Sequence, residues 1–189
     1  MTASPRRAPL RLAFSRDAAP PPDPDRFRLL VLPHLDAAYS YARYLARDPV
    51  AAEDVVQEAF LRAYRGYPGC RGNEKAWLLT IVRHCFIDWA KANGRPAPEG
   101  SAEEAADPED PATILQRRQD QATVRATIEA LPEPFRETLV LRELEELSYK
   151  DIAGLTAAPI GTVMSRLARA RTMLAAMLLG HESEGGTER

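Results

Sequence analysis

Near the C-terminal end, Gly161, Thr162, Ser165, Arg166, Arg169 and Arg171 interleave with the apolar series Ile160, Val163, Met164, Leu167, Leu174 and Leu178. The apolar residues recur at helical spacing, so Gly161, Thr162, Ser165, Arg166 and Arg169 fall off the stripe that Val163, Met164 and Leu167 turn toward a preceding helix. Small or polar residues at the start of a helix can enter a major groove about 12 Å wide, and arginines along it can hold phosphates on either side. Residues 160–179 carry Arg166, Arg169 and Arg171 and no acidic side chain, a basic patch in a chain whose net charge is -2. The alternative is a solvated amphipathic helix closing a bundle.

Other candidate groups are sparser. Asp54, Gln57 and Glu58 occupy neighbouring turns of one polar helix face, where they can meet arginines of a partner helix or simply stay solvated. Cys70 and Cys85 are the only cysteines, and their spacing fits neither a disulfide framework nor a zinc finger, so both read as reduced thiols. His84 beside Cys85 is no metal pair, since adjacent helical residues diverge by about 100°. There is no Gly-rich phosphate loop, no ligand cluster and no nucleophile with an evident base, so neither an enzyme nor a cofactor is expected.

These residues are positioned by an all-α chain: two small helical domains joined by a flexible acidic linker, the C-terminal one a helix-turn-helix. Residues 1–25, with Arg6, Arg7, Arg11 and Arg16 among Pro20, Pro21, Pro22 and Pro24, read as a disordered tail. Residues 26–93 form the first domain, 94–113 an acidic Pro-rich linker, 114–179 the second domain and 180–189 a C-terminal tail. Leu29, Leu32, Leu35, Ala38, Tyr39, Ala42 and Leu45 predict one long helix ending near Asp48-Pro49. A second helix carries Val55, Val56, Ala59 and Phe60, and a third is marked by Trp77, Leu78, Ile81, Val82, Cys85, Phe86 and Trp89. Both tryptophans share the apolar stripe and are assigned to the core. Beyond the linker, Val124, Ile128 and Leu131 mark a helix broken at Pro132, and Phe135, Leu139, Val140, Leu144 and Leu147 mark the next. Ser148 with Asp151 forms a capping box before a short helix, and Pro159 precedes the last. No stretch of about 18 apolar residues offers a membrane span, so no direct membrane insertion and a cytoplasmic location are expected.

The string Leu147-Ser148-Tyr149-Lys150-Asp151-Ile152-Ala153, followed by Pro159 through Arg171, closely resembles the promoter-reading domain of extracytoplasmic-function sigma factors. Ala52-Glu53-Asp54-Val55-Val56-Gln57-Glu58-Ala59-Phe60-Leu61 and Ala76 through Arg83 resemble that family's N-terminal domain. The resemblance covers roughly residues 27–92 and 116–178. It implies core RNA polymerase and promoter DNA as partners, with an anti-sigma factor holding the chain inactive. On it, Asp54, Gln57 and Glu58 would dock on polymerase. Gly161, Thr162, Ser165, Arg166, Arg169 and Arg171 would read the minus-thirty-five element. The loop residues Arg71, Asn73, Glu74 and Lys75, with Arg83, His84 and Lys91 on the following helix, would meet the minus-ten strand. Ala157 stands where the family usually has glycine, Cys70 near a common aromatic and His84 where asparagine is frequent. A regulator binding operators without polymerase would leave residues 52–91 unexplained, and a sigma-like decoy would not need the three arginines.

Overall fold

A computed structural model describes residues 23–67, 70, 72–93 and 122–185, the side chains of 180–185 excepted. The acidic linker, Arg71, residues 1–22 and residues 186–189 lie outside the described residues. Among the described residues all regular structure is helical.

Helix α1, Pro24–Leu30, begins inside the stretch expected as tail. Asp23 caps it by accepting from the N–H groups of Asp25 and Arg26, and Pro24 sits where its missing N–H costs nothing. The single long helix expected from Leu29 to Leu45 is instead divided. A 3-10 turn, Leu32–His34, separates α1 from α2, Leu35–Ala46. Pro33 has no N–H to continue the ladder, and its ring fits only near a helix start. Leu29, Leu32, Leu35 and Tyr39 consequently point outward, while Ala38, Tyr41, Ala42 and Leu45 face the core.

Arg47 ends α2 in a left-handed conformation, and Asp48 caps α3, Pro49–Gly66, by accepting from the Ala51 N–H at 2.9 Å. Helix α4, Glu74–Asn93, starts where Asn73 Oδ1 accepts from the Ala76 N–H at 3.2 Å. Glu74 and Lys75 therefore belong to its first turn, not to a loop. Asn73 satisfies an otherwise orphaned donor there, which extends the helix to it. Leu78, Leu79 and Val82 of α4 pack with Val55, Ala59 and Ala63 of α3 and with α2. Phe27 meets Phe60, Tyr64 and Tyr67 edge-on, and Trp77 lies edge-on to Tyr67. Trp77 and Trp89 are half-buried against the core, Trp89 stacked on Phe86.

In the C-terminal half, helical residues 122–130 (α5) stop at Leu131-Pro132, and α6, Glu133–Leu139, runs directly into a π-helical turn, Val140–Leu144. The helix expected from Phe135 to Leu147 thus widens and ends early. Leu144 is exposed, while Leu147 is buried beyond the helix end. Arg136, buried at the break, donates from Nη1 to the carbonyls of Glu129 and Leu131 at 3.1 and 2.9 Å. These are carbonyls that the broken ladder leaves unpaired.

Helix α7, Tyr149–Thr156, and α8, Ile160–Gly185, complete the helix-turn-helix, with Ile152, Leu155, Val163, Leu167 and Ala170 buried. Ser148 Oγ accepts from the Asp151 N–H at 3.1 Å and donates to Asp151 Oδ2 at 2.7 Å, a local variant of the expected box. Ala157 ends α7 at φ 52° and ψ 39°, the left-handed region that favours glycine. Replacing it, Ala157→Gly, is expected to stabilise the fold by about 1 kcal/mol. Urea unfolding would show this as a raised midpoint at unchanged slope. A lowered midpoint would mean that the turn tolerates the methyl group without strain.

Candidate polymerase and nucleic-acid interfaces

The turn between α7 and α8 fixes which side of α8 meets solvent. Gly161, Ser165 and Arg169 are exposed, Thr162 and Arg166 are half-buried, and Val163, Leu167 and Ala170 are sealed beneath. Met164, expected to face the preceding helix, is instead exposed beside Ser165. Val163, Leu167 and Ala170 fill the seam, which leaves Met164 on the polar edge. Arg171 is already engaged. Its Nε and Nη2 donate to Glu143 Oε1 at 3.0 and 2.6 Å, and this hydrogen bond raises the guanidinium above its ordinary range.

On α3, Asp54 and Gln57 are exposed and Glu58 is half-buried. Glu58 accepts from Arg62 Nε at 2.6 Å, and Arg62 Nη1 donates to Asp88 of α4 at 2.8 Å. This bracket ties α3 to α4 on a solvated surface, where such pairs contribute little. Arg62→Ala is accordingly expected to cost less than about 1 kcal/mol in urea unfolding. A larger loss would show that the bracket holds the two helices in place. Leu61, one turn beyond Gln57 and Glu58, is exposed on the same side. Its spacing from Asp54 already puts it on this face, although a polar pattern alone gives a leucine there no role.

The minus-ten candidates divide into two groups. His84 and Lys91 are exposed along α4, and partial desolvation of the His84 ring by its neighbours, followed by the Arg83 charge, lowers it from its ordinary value. Asn73, Lys75 and Arg83 are engaged by the C-terminal half. The Asn73 amide lies 3.4 Å from Asp151 Oδ2, and Lys75 Nζ donates to the Glu145 carbonyl at 2.8 Å and to its Oε2 at 2.9 Å. Arg83 Nε and the Tyr41 hydroxyl both donate to Glu137 Oε1 at 2.7 Å. Burial and the adjacent carboxylate push Tyr41 well above its ordinary value, so it stays a neutral donor. Burial alone would lower Arg83, but the Glu137 charge and hydrogen bond outweigh it and hold the guanidinium protonated. Glu74 is half-buried at the head of α4. Sequence reasoning missed Tyr41, Glu137 and Glu145, because their partners lie 54 to 96 residues away for Glu137 and 70 away for Glu145.

Cys85 is buried, which pushes its thiol up to about 11, and Cys70 is half-buried with its thiol raised by the same cause. Among the described residues there is no group of three or more His, Cys, Asp or Glu side chains placed to hold a metal, and no helix long and apolar enough to cross a membrane.

Two helical units, one ending in a helix-turn-helix with a polar, basic outer edge and the other presenting an acidic helix face, define a protein built to join DNA to a protein partner. The family description Sigma-70 region 2 matches residues 30–96, and Sigma-70, region 4 matches residues 121–174. RNA polymerase sigma-H factor of Pseudomonas aeruginosa is 38% identical over 162 residues, which span 79% of this chain and 84% of that protein. The ECF RNA polymerase sigma-E factor of Escherichia coli K12 is 36% identical over 166 residues, spanning 79% and 84%. Among solved structures, the sigma factor RpoE of Bartonella quintana, in complex with the anti-sigma factor NepR, matches with a TM-score of 0.71 at 26% identity. That match covers 87% of this chain and 99% of the other. The chain belongs to the extracytoplasmic-function RNA polymerase sigma factors.

Proposed function

We propose that this sigma factor directs core RNA polymerase to promoters by dividing the work between its two helical units, bounded at residues 26–93 and 114–179 and joined by 94–113. Asp54, Gln57, Glu58 and Leu61 on α3 form the polymerase-docking face, where carboxylates can take charge-assisted hydrogen bonds from a basic partner helix. Gly161, Thr162, Ser165, Arg166 and Arg169 on α8 enter the major groove of the minus-thirty-five element, with Arg171 at the phosphates once released from Glu143. Arg71, Asn73, Glu74, Lys75, Arg83, His84 and Lys91 serve the minus-ten strand. A pocket that holds only an extruded base couples sequence reading to strand opening. The chain acts in the cytoplasm, performs no covalent chemistry and is restrained by an anti-sigma factor, as the complex formed by the Bartonella relative suggests.

The observation that carries this reading is the exposed edge Gly161, Met164, Ser165 and Arg169, presented by a buried seam of Val163 and Leu167 in the same chain as a region 2 unit. Run-off transcription with core polymerase on a randomised promoter library tests it. Defined start sites that depend on the added chain are expected. Their absence with folded protein rejects the reading.

A further inference from the structure

We propose that the C-terminal unit docks on the minus-ten face of its own chain and masks it selectively, leaving the minus-thirty-five edge open. The proposal rests on the sigma reading for the meaning of these two faces, but the contact itself is independent of that reading.

The latch consists of two nearly sealed carboxylates. Glu137 and Glu145 are each only 5% exposed, although both are acidic. Burying a carboxylate is costly unless charged or hydrogen-bonded partners compensate. Here the side-chain partners come from the other unit: Tyr41 and Arg83 for Glu137, Lys75 for Glu145. Asn73 adds a longer contact to Asp151. The apolar core is continuous across the same seam, with α2 against α6 and α4 against α7.

The cations used in this latch are the ones a DNA strand would need. Lys75 and Arg83 cannot neutralise phosphates while they neutralise Glu145 and Glu137, so strand and carboxylates compete for the same charges. The acidic pair thereby stands in for backbone phosphate. Gly161, Ser165 and Arg169 of α8 are exposed in the same arrangement, and α8 packs chiefly against α6 and α7 of its own unit. The masking is therefore one-sided: free chain can meet duplex DNA through α8, whereas single-strand binding requires the units to separate.

The test has two arms. With a carbodiimide and excess glycinamide, each accessible carboxylate is activated as an O-acylisourea and captured by the amine as an amide, while the reagent leaves as a urea. Peptide mapping of the native full chain should find Glu137 and Glu145 protected and the exposed Asp54 coupled, and coupling at Glu145 as complete as at Asp54 overturns the closed arrangement. In the second arm, full-length chain and the double variant Glu137→Gln, Glu145→Gln are titrated against a randomised single-stranded pool and a randomised duplex pool. The variant is expected to gain about tenfold in single-strand affinity, as one tenfold step is about 1.4 kcal/mol. Duplex affinity should stay unchanged. Equal single-strand binding by both proteins, or an equal gain on duplex, overturns selective masking. If circular dichroism shows the double variant to be unfolded, Glu145→Gln alone must give the same one-sided gain, and no gain overturns the proposal. Neither arm uses polymerase, so a failure of the run-off assay alone would remove the sigma reading and leave the latch standing.

Discussion

Arg136→Ala is expected to destabilise the protein by about 3–5 kcal/mol, the largest effect for any single polar side chain described above. The residue is buried at the α5–α6 break, and its Nη1 holds the carbonyls of Glu129 and Leu131. Removing it leaves the sealed Leu131 carbonyl and the partly buried Glu129 carbonyl without this donor, at a cost of about 1–3 kcal/mol for the sealed one and less for the other, and opens a cavity. Part of this is offset, because the charge itself is poorly housed. Burial, followed by the nearby Arg47 guanidinium, pulls Arg136 down to about 10. Arg136→Met, which fills the volume without charge or donors, should therefore cost clearly less than the alanine variant. Urea unfolding followed by far-ultraviolet circular dichroism would measure both. A loss below about 1 kcal/mol for the alanine variant would show that water replaces the two hydrogen bonds.

The largest functional effect is expected at Arg166. A side chain reaching a base edge contributes about 1–3 kcal/mol of discrimination, so Arg166→Ala should weaken binding to the selected minus-thirty-five duplex roughly tenfold to a hundredfold. It should also relax the preference at one position. Arg169→Ala should act differently, weakening every duplex alike and lowering the salt slope by about one. Arg171→Ala should do least, because this guanidinium is already taken up by Glu143. Fluorescence anisotropy against single-base variants, repeated over a salt series, separates these outcomes. A uniform loss from Arg166→Ala would move that residue from the bases to the phosphates.

The parts of the fold that were legible are those written in local chemistry. The seam residues Val163 and Leu167 and the Ser148 cap follow from spacing and residue type within a few positions. Ala157 is different, because nothing in its residue type announces a left-handed turn, and only the family's usual glycine at that place hinted at the conformation the structure shows. The parts that were not legible depend on geometry the periodicity does not carry. Pro33 divides a pattern that looks continuous, because an apolar stripe counts residues without regard to a missing N–H. Met164 and Leu29 have the hydrophobicity of core residues yet lie outside it, since their helices offer more apolar surface than one seam can cover. Among the site residues, Asp54, Gln57, Ser165 and Arg169 do lie on exposed faces. The engagement of Lys75 and Arg83 could not be read from the chain, because Glu145 and Glu137 become their partners only when distant segments meet.

The two thiols differ in a way that has practical weight. Nucleophilic sulfur is thiolate, and Cys85 is both sealed by neighbouring side chains and pushed up to about 11, so it should resist alkylation in the native state. Cys70, three residues before Asn73, is partly open to reagent. Native protein should thus accept a maleimide dye at Cys70 alone, and slowly because burial raises that thiol too, which puts an optical reporter beside the segment proposed to meet the minus-ten strand without engineering.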